Sequence, residues 1–206
     1  LALAAIAAVL ALALVAWAVF GHAGLAAWDR DMAAAIQAHA PPTLTALLRL
    51  VSDGHRPRFI LGMTAAVGLV LLWRRDRSGL LMLLATVGGG AALNHLLKHN
   101  FARPRPGPDS AWAAVTDFSF PSGHVANSTL LYGAVAALVL LGSRSNVVRI
   151  AAVAGAVSMV LLVSASRLVL GAHYPSDVLA GALVGAGWLM LCVIGLQYGR
   201  DRHRPA

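Results

Sequence analysis

Apolar runs of about twenty residues recur along this chain, and they restrict its fold more than any other feature. Charged residues make up only 12% of the sequence and hydrophobic residues 59%, against roughly a quarter charged in an ordinary soluble domain. Mean hydropathy is +0.74. These figures exclude a water-soluble globule and predict an integral membrane protein. Backbone N–H and C=O groups must pair internally in lipid, so only helices or closed barrels cross it. The runs here are continuous rather than alternating, which selects helices.

Six spans follow, at roughly Leu1–Phe20, Arg58–Trp73, Gly79–Leu97, Pro121–Leu141, Val147–Ala165 and Pro175–Tyr198. The fold class is all-α: a polytopic bundle of six transmembrane helices. A short interfacial helix, Trp28 to Ala40, is expected between the first two, with Trp28 near headgroup level. No linker or shift of composition divides residues 1–206, so one domain is expected. The first apolar run is longer than the core of a cleavable leader and no basic segment precedes it, so it is read as a retained helix. The Gly/Pro-rich stretch Arg103–Asp109 cannot be helical and leads into a loop ending at Phe120.

The alternate loops carry equal numbers of cations, so charge alone does not orient the protein. Three of those cations, Lys98, Arg105 and Arg167, fall in chemical motifs. Setting them aside leaves the excess on the side of both termini, among them Arg74, Arg75, Arg77 and Arg204. Both termini are therefore expected in the cytoplasm, with the motifs on the outer face.

The motifs are three. Lys98 precedes Arg105-Pro106, as K-x6-R-P. Pro121-Ser122-Gly123-His124 opens the fourth span. Ser166-Arg167 closes the fifth, followed by His173 and Asp177, as S-R-x5-H-x3-D. All lie at span ends on one side, so a bundle brings them to one membrane depth. Cations near hydrocarbon are costly and repel each other, and a phosphate dianion relieves both costs. Arginine forks and a lysine point charge suit phosphate oxygens. Proline fits the first turn of a helix, whose free N–H groups favour anions, and Gly123 permits close backbone approach. Asp177, four residues beyond His173, can hold one ring N–H and leave the other nitrogen free to attack. His173 is therefore read as the nucleophile, Asp177 as its orienting group, and His124 as the acid that protonates the leaving oxygen. That division needs His173 neutral and His124 charged.

At this point the ordered set resembles the type 2 phosphatidic acid phosphatase superfamily, which also includes vanadium haloperoxidases and bacterial acid phosphatases. Every specified motif position between Lys98 and Asp177 matches. The resemblance implies a metal-independent phosphatase that works through a phosphohistidine and needs no cofactor. By similarity, Lys98, Arg105, Ser122, Gly123 and Arg167 bind phosphate, while His173, His124 and Asp177 are catalytic. The membrane members act on lipid phosphates at the extracytoplasmic surface. The expected protein is thus a lipid phosphatase of a bacterial cytoplasmic membrane. Its candidate substrates are polyprenyl diphosphate, slightly preferred, phosphatidylglycerol phosphate and phosphatidic acid. Arg103-Pro104 repeats the Arg-Pro pair two residues early, and the spacing favours Arg105 as the phosphate ligand.

Other readings compete. His124, His173 and Asp177 suit zinc as ligands, but three cations in the same pocket oppose a further one. A vanadate-dependent peroxidase shares the pocket chemistry, and six spans in a short chain oppose it. A transporter or scaffold that only binds an anion would not need His173 and Asp177 together. A net charge of +8 comes without an aromatic-interleaved basic face, so nucleic acid is not an expected partner; membrane lipids are. Cys192, the single cysteine, is read as a packing residue. Asn94 is read as an orienting group for Lys98 or a helix-to-helix bond. His99 is expected to point away from the site, and His22, His39, His55 and His203 to be surface or loop residues. Trp17, Trp28, Trp73, Trp112 and Trp188 are read as interface anchors or lipid-facing packing. Gly88-Gly89-Gly90 and the pair Gly181 and Gly185 are read as close helix contacts.

Overall fold

Hydrophobic side chains face outward over most of this bundle, as a lipid solvent requires: Leu3, Trp73 and Val147 are each more than three-quarters exposed. The structure is a computed structural model and describes residues 1–21, 23–106 and 118–202, with the side chains of 23 and 200–202 left aside. The loop expected to reach Phe120, the anchor Trp112, and His22, His203 and Arg204 fall wholly or partly outside the described residues.

Among the described residues the chain is helical, with no strands. Helix α1 spans Ala2–Gly21, α2 Ala23–His39, α3 Pro42–Gly54, α4 Pro57–Trp73 and α5 Arg77–Leu84. After a π-helical turn, Ala85–Gly89, come α6 (Gly90–Phe101), α7 (Gly123–Gly142), α8 (Asn146–Val169) and α9 (Pro175–Arg202). Helix starts follow local chemistry. Pro42 and Pro57 occupy first-turn positions of α3 and α4, where a missing N–H costs nothing. Asp76 caps α5 by accepting from the Gly79 N–H at 2.9 Å, and Ser145 caps α8. Ala102, left-handed at φ 46°, ends α6.

Among the described residues, five helices or continuous helical runs are long and apolar enough to cross a membrane alone. A bent pair, α3 and α4, which meet at 54°, passes the same test together and is the candidate for a sixth crossing. The expected second span began at Arg58; the structure adds α3 ahead of it, broken at Asp53-Gly54-His55-Arg56-Pro57. The expected third span is also interrupted. Its π-turn coincides with a contact from α9: Trp188 Nε1 donates to the Ala85 carbonyl at 2.9 Å. Trp188 is half-buried, packing over Gly89 and Gly90, so it is an internal strut rather than a lipid-facing anchor. Gly88 meets nothing within 4 Å and takes no part in that contact.

Helices α7 and α9 form the centre, with α8 against α7 and α1 against α9. The interfacial helix appears as α2, and it is more than a surface float. It packs on α8 and α9 with Asp29 and Ala33 buried. Phe120 is fully buried, edge-on to Phe20 and Phe101, joining α1, α6 and the segment leading into α7.

Close approach of α9 to α7 sets the site's framework. A Cβ at Gly181 would lie 2.6 Å from the Ser122 carbonyl oxygen, and one at Gly185 2.9 Å from that of Ala126. Gly195, further along α9, faces open space. Gly181→Ala should therefore destabilise the protein by about 1–3 kcal/mol through overpacking. Gly195→Ala should leave stability unchanged. Thermal unfolding of both variants in detergent checks this, and equal melting temperatures would contradict the packing account.

Candidate active site

The helix ends carrying the motifs converge on one cavity of about 560 Å³. Lys98 from α6, Arg105 beyond it, Gly123 and His124 from α7, Arg167 from α8 and His173 from the α8–α9 turn all line it. The two other residues singled out in the sequence stand behind this wall. The Ser122 N–H donates to the Asp177 backbone carbonyl at 2.9 Å, tying the start of α7 to the start of α9. The Ser122 hydroxyl is buried and has no hydrogen-bond partner among the described residues. A Cβ at Gly123 would sit 3.6 Å from the Lys98 side chain, an ordinary contact that places the start of α7 directly against the lysine.

His173 is fully enclosed at 1% exposure. Its Nδ1 faces Asp177 Oδ2 at 3.5 Å, an ion-pair distance longer than an ordinary hydrogen bond, and makes no hydrogen bond among the described residues. On the other side of the ring, Arg105 Nη1 lies 3.4 Å from Nε2 and also donates to the Ala172 carbonyl at 2.9 Å. A guanidinium only donates, so this arrangement favours the neutral tautomer with hydrogen on Nδ1 and the lone pair on Nε2. Burial pushes the His173 pKa down to about 4, from 6.5; Asp177 opposes that fall while Arg167 and Arg105 add to it.

Asp177 is wholly buried and its two oxygens have separate duties. Oδ2 accepts from the Tyr174 N–H at 2.9 Å and faces His173. Oδ1 accepts from Arg103 Nη1 at 2.6 Å. The same guanidinium donates to Ser176 Oγ at 2.8 Å and, through Nη2, to Asp29 Oδ2 at 2.8 Å. Its carbon lies 4.2 Å from the centre of the Tyr174 ring. The duplicated Arg-Pro pair is thereby resolved: Arg105 lines the cavity, and Arg103 is committed to carboxylates behind it.

Several contributors were missed or misread in the sequence. Asp29 looked like one of several polar breaks, yet it is fully buried and accepts from both the N–H and the hydroxyl of Ser176. Ser52 accepts from Arg167 Nη1. His55 is a correction: it is 7% exposed and lines the cavity. Its Nδ1 bonds the Val51 carbonyl and its Nε2 the Tyr132 hydroxyl, each at 2.7 Å. The bend between α3 and α4 turns this residue inward. His99 is a second correction, since it and His95 line the cavity, their rings 4.3 Å apart. Asn94 and Asn127 line it as well. A polar residue one turn from a motif lysine, or inside an apolar run, is the only sequence signal any of these gave. Lys98 itself donates to the Phe118 carbonyl.

The protein is therefore a polytopic α-helical membrane protein whose polar groups gather around an imidazole at one end of the bundle. Comparison with known proteins supplies the family. The profile described as PAP2 superfamily matches residues 79–201, and the chain belongs to that superfamily. It is 34% identical over 133 residues to phosphatidylglycerophosphatase B of Bacillus subtilis, covering 62% of this chain and 63% of that protein. The chain thus aligns with less than two thirds of that relative's length. It is 33% identical over 149 residues to decaprenylphosphoryl-5-phosphoribose phosphatase of Mycobacterium tuberculosis, covering 68% of this chain and 73% of the other. The crystal structure of the first transmembrane PAP2 type phosphatidylglycerolphosphate phosphatase from Bacillus subtilis superposes with a TM-score of 0.82 at 26% identity, over 97% of this chain and 98% of that one.

The geometry sets a protonation state for His173. Nitrogen-detected NMR of labelled protein should find its ring neutral, with the proton on Nδ1, at pH 6. Charging should occur only as pH falls towards 4. A charged ring at pH 6 would contradict the effect of burial described here.

Proposed function

We propose that this protein is a membrane lipid phosphatase that removes the terminal phosphate of a lipid phosphate or diphosphate through a phosphohistidine on His173. The observation that carries the reading is the position of His173: it lines a cavity with Lys98, Arg105, His124 and Arg167, and its Nε2 lies 3.4 Å from Arg105 Nη1. The phosphate sits among Lys98, Arg105 and Arg167, with the Ser122 hydroxyl and the amides at the start of α7 as further donors. Nε2 attacks phosphorus, the bond from phosphorus to the lipid-side oxygen breaks, and His124 gives that oxygen its proton. His124 then takes a proton from water as the water attacks phosphorus. The N–P bond breaks, inorganic phosphate leaves, and His173 is regenerated. Asp177 holds Nδ1–H throughout. The fixed cations stabilise charge on the pentacoordinate phosphorus. No step requires a metal ion.

The site lies at one end of the bundle, so a headgroup can reach it while its chains remain in the bilayer. We place that end at the outer face of a bacterial cytoplasmic membrane, from the charge asymmetry left once the motif cations are set aside. The similarity to a phosphatidylglycerolphosphate phosphatase over nearly the whole chain ranks phosphatidylglycerol phosphate beside polyprenyl diphosphate as substrate. The mycobacterial relative, named for a polyprenyl-linked phosphate, keeps the second class in view.

Purified protein in detergent should release phosphate from at least one of three lipids: phosphatidylglycerol phosphate, a polyprenyl diphosphate or phosphatidic acid. Excess chelator should leave the rate unchanged. His173→Ala should abolish turnover, and Arg105→Ala should lower it by about 10²–10³-fold. The acid limb of kcat/KM should fall near pH 4, where His173 gains its proton. Turnover retained in His173→Ala, or lost on chelation, would refute the assignment. Halide oxidation on adding vanadate, without phosphate release, would point to the peroxidase instead.

A further inference from the structure

The PAP2 motifs account for Lys98, Arg105 and the His173–Asp177 pair, but not for Arg103 or for Asp29. Both are buried, and both carry charge. Asp29 is 0% exposed and Arg103 8%. Burying ions so deeply is costly unless each is paired and hydrogen-bonded, and here the pairing is full and directional. Arg103 Nη1 is 2.6 Å from Asp177 Oδ1 and Nη2 is 2.8 Å from Asp29 Oδ2. Asp29 Oδ1 accepts the Ser176 N–H at 3.0 Å, in the residue next to Asp177. The Ser176 hydroxyl closes the set by donating to Asp29 Oδ2.

Consider what this does to Asp177. With Oδ1 fixed by Arg103 and Oδ2 by the Tyr174 N–H, the carboxylate plane cannot rotate. The oxygen facing His173 Nδ1 is therefore always the same one. Asp29 in turn fixes Arg103 and the backbone of the first turn of α9. Resting on the nucleophile reading above, we infer that Asp29 and Arg103 are positioning residues for the reaction: a carboxylate–guanidinium clamp, contributed in part by α2, that holds Asp177 on the His173 ring. Neither touches the phosphate, so the clamp acts on turnover and not on substrate binding. This gives α2 a purpose that no motif in it announces.

Among the described residues, the charged and titratable groups facing the His173–Asp177 pair are Asp29 from α2, Arg103 and Arg105 from the segment after α6, His124 from α7, Arg167 from α8 and Tyr174 from the turn before α9. Removing Arg103's charge leaves Asp177 with one counter-charge fewer, which favours a proton on His173. Removing Asp29's charge leaves Arg103 to Asp177 alone, which disfavours that proton. The two substitutions must therefore move the acid limb in opposite directions, Arg103→Met to higher pH and Asp29→Asn to lower pH. A residue needed only for folding would reduce the active fraction and leave the limb in place.

The test is steady-state kinetics across pH on Asp29→Asn, Arg103→Met and Arg103→Lys, with the folded fraction of each measured by gel filtration and thermal unfolding. Per folded molecule, kcat should fall by about 10–100-fold in Asp29→Asn and Arg103→Met, as supporting contacts to a reactive histidine typically cost, while KM stays within about threefold of wild type. Arg103→Lys keeps the charge without the fork and should recover part of kcat with the acid limb unmoved. If Arg103→Met does not fold, Asp29→Asn and Arg103→Lys decide. Wild-type kcat and an unmoved limb in Asp29→Asn would overturn the clamp, as would a raised KM with unchanged kcat. His173→Ala serves as the control. Turnover surviving there sinks the nucleophile reading itself, whereas a dead His173→Ala beside wild-type clamp variants sinks only the inference drawn here.

Discussion

A single buried guanidinium ties together parts of the chain that share no sequence signal. Arg103 reaches Asp29 on α2 and Asp177 on α9 from a segment just beyond α6. Two enclosed carboxylates with one cation between them cannot be left half paired, because a lone buried charge is far costlier than the pair. The three segments therefore lock in one arrangement. The turn bearing His173 and the start of α7, bonded to Asp177 through the Ser122 N–H, inherit their positions from that lock. The glycine contacts of α9 on α7 then set how close the two central helices stand.

The bundle separates its polar and apolar duties by position. Its sides are clad in exposed Leu, Val and Trp, which lipid accepts without cost. Most of its buried polar side chains concentrate at one end, where Lys98, Arg105, Arg167 and several histidines share a cavity. Guanidinium forks and an ammonium beside imidazoles are a donor set that suits phosphate oxygens, which is the chemistry the proposed function draws on. Burial beside two guanidinium groups pushes the His173 imidazole towards its neutral form, the state that its proposed role as nucleophile requires.

Much of this arrangement was legible in the sequence because the motif residues are placed by local rules. Pro121-Ser122-Gly123-His124 and His173–Asp177 sit at helix starts that proline and glycine mark, and their spacing carries over directly to space. The spans were legible from hydropathy except the second, of which it marked only α4 and not α3. What could not be read depends on long-range contact. Asp29 lies far from Arg103 in sequence, and nothing local distinguishes it from Asp31, which is exposed. His55 looked like a loop residue because its loop is one; only the 54° bend of α3 against α4 carries it to the cavity, where Tyr132 receives it. The π-turn at Ala85–Gly89 was hidden for a similar reason, since its partner Trp188 comes from the last helix.

Covalent phosphorylation of His173 is the claim most directly open to measurement. Protein mixed with a turned-over lipid phosphate, quenched in base to preserve N–P bonds and digested, should carry phosphate on the peptide containing His173, at the ring nitrogen Nε2. The label should vanish in His173→Ala. Phosphate found on another residue, or turnover with no phosphoenzyme and inversion at phosphorus, would contradict the account.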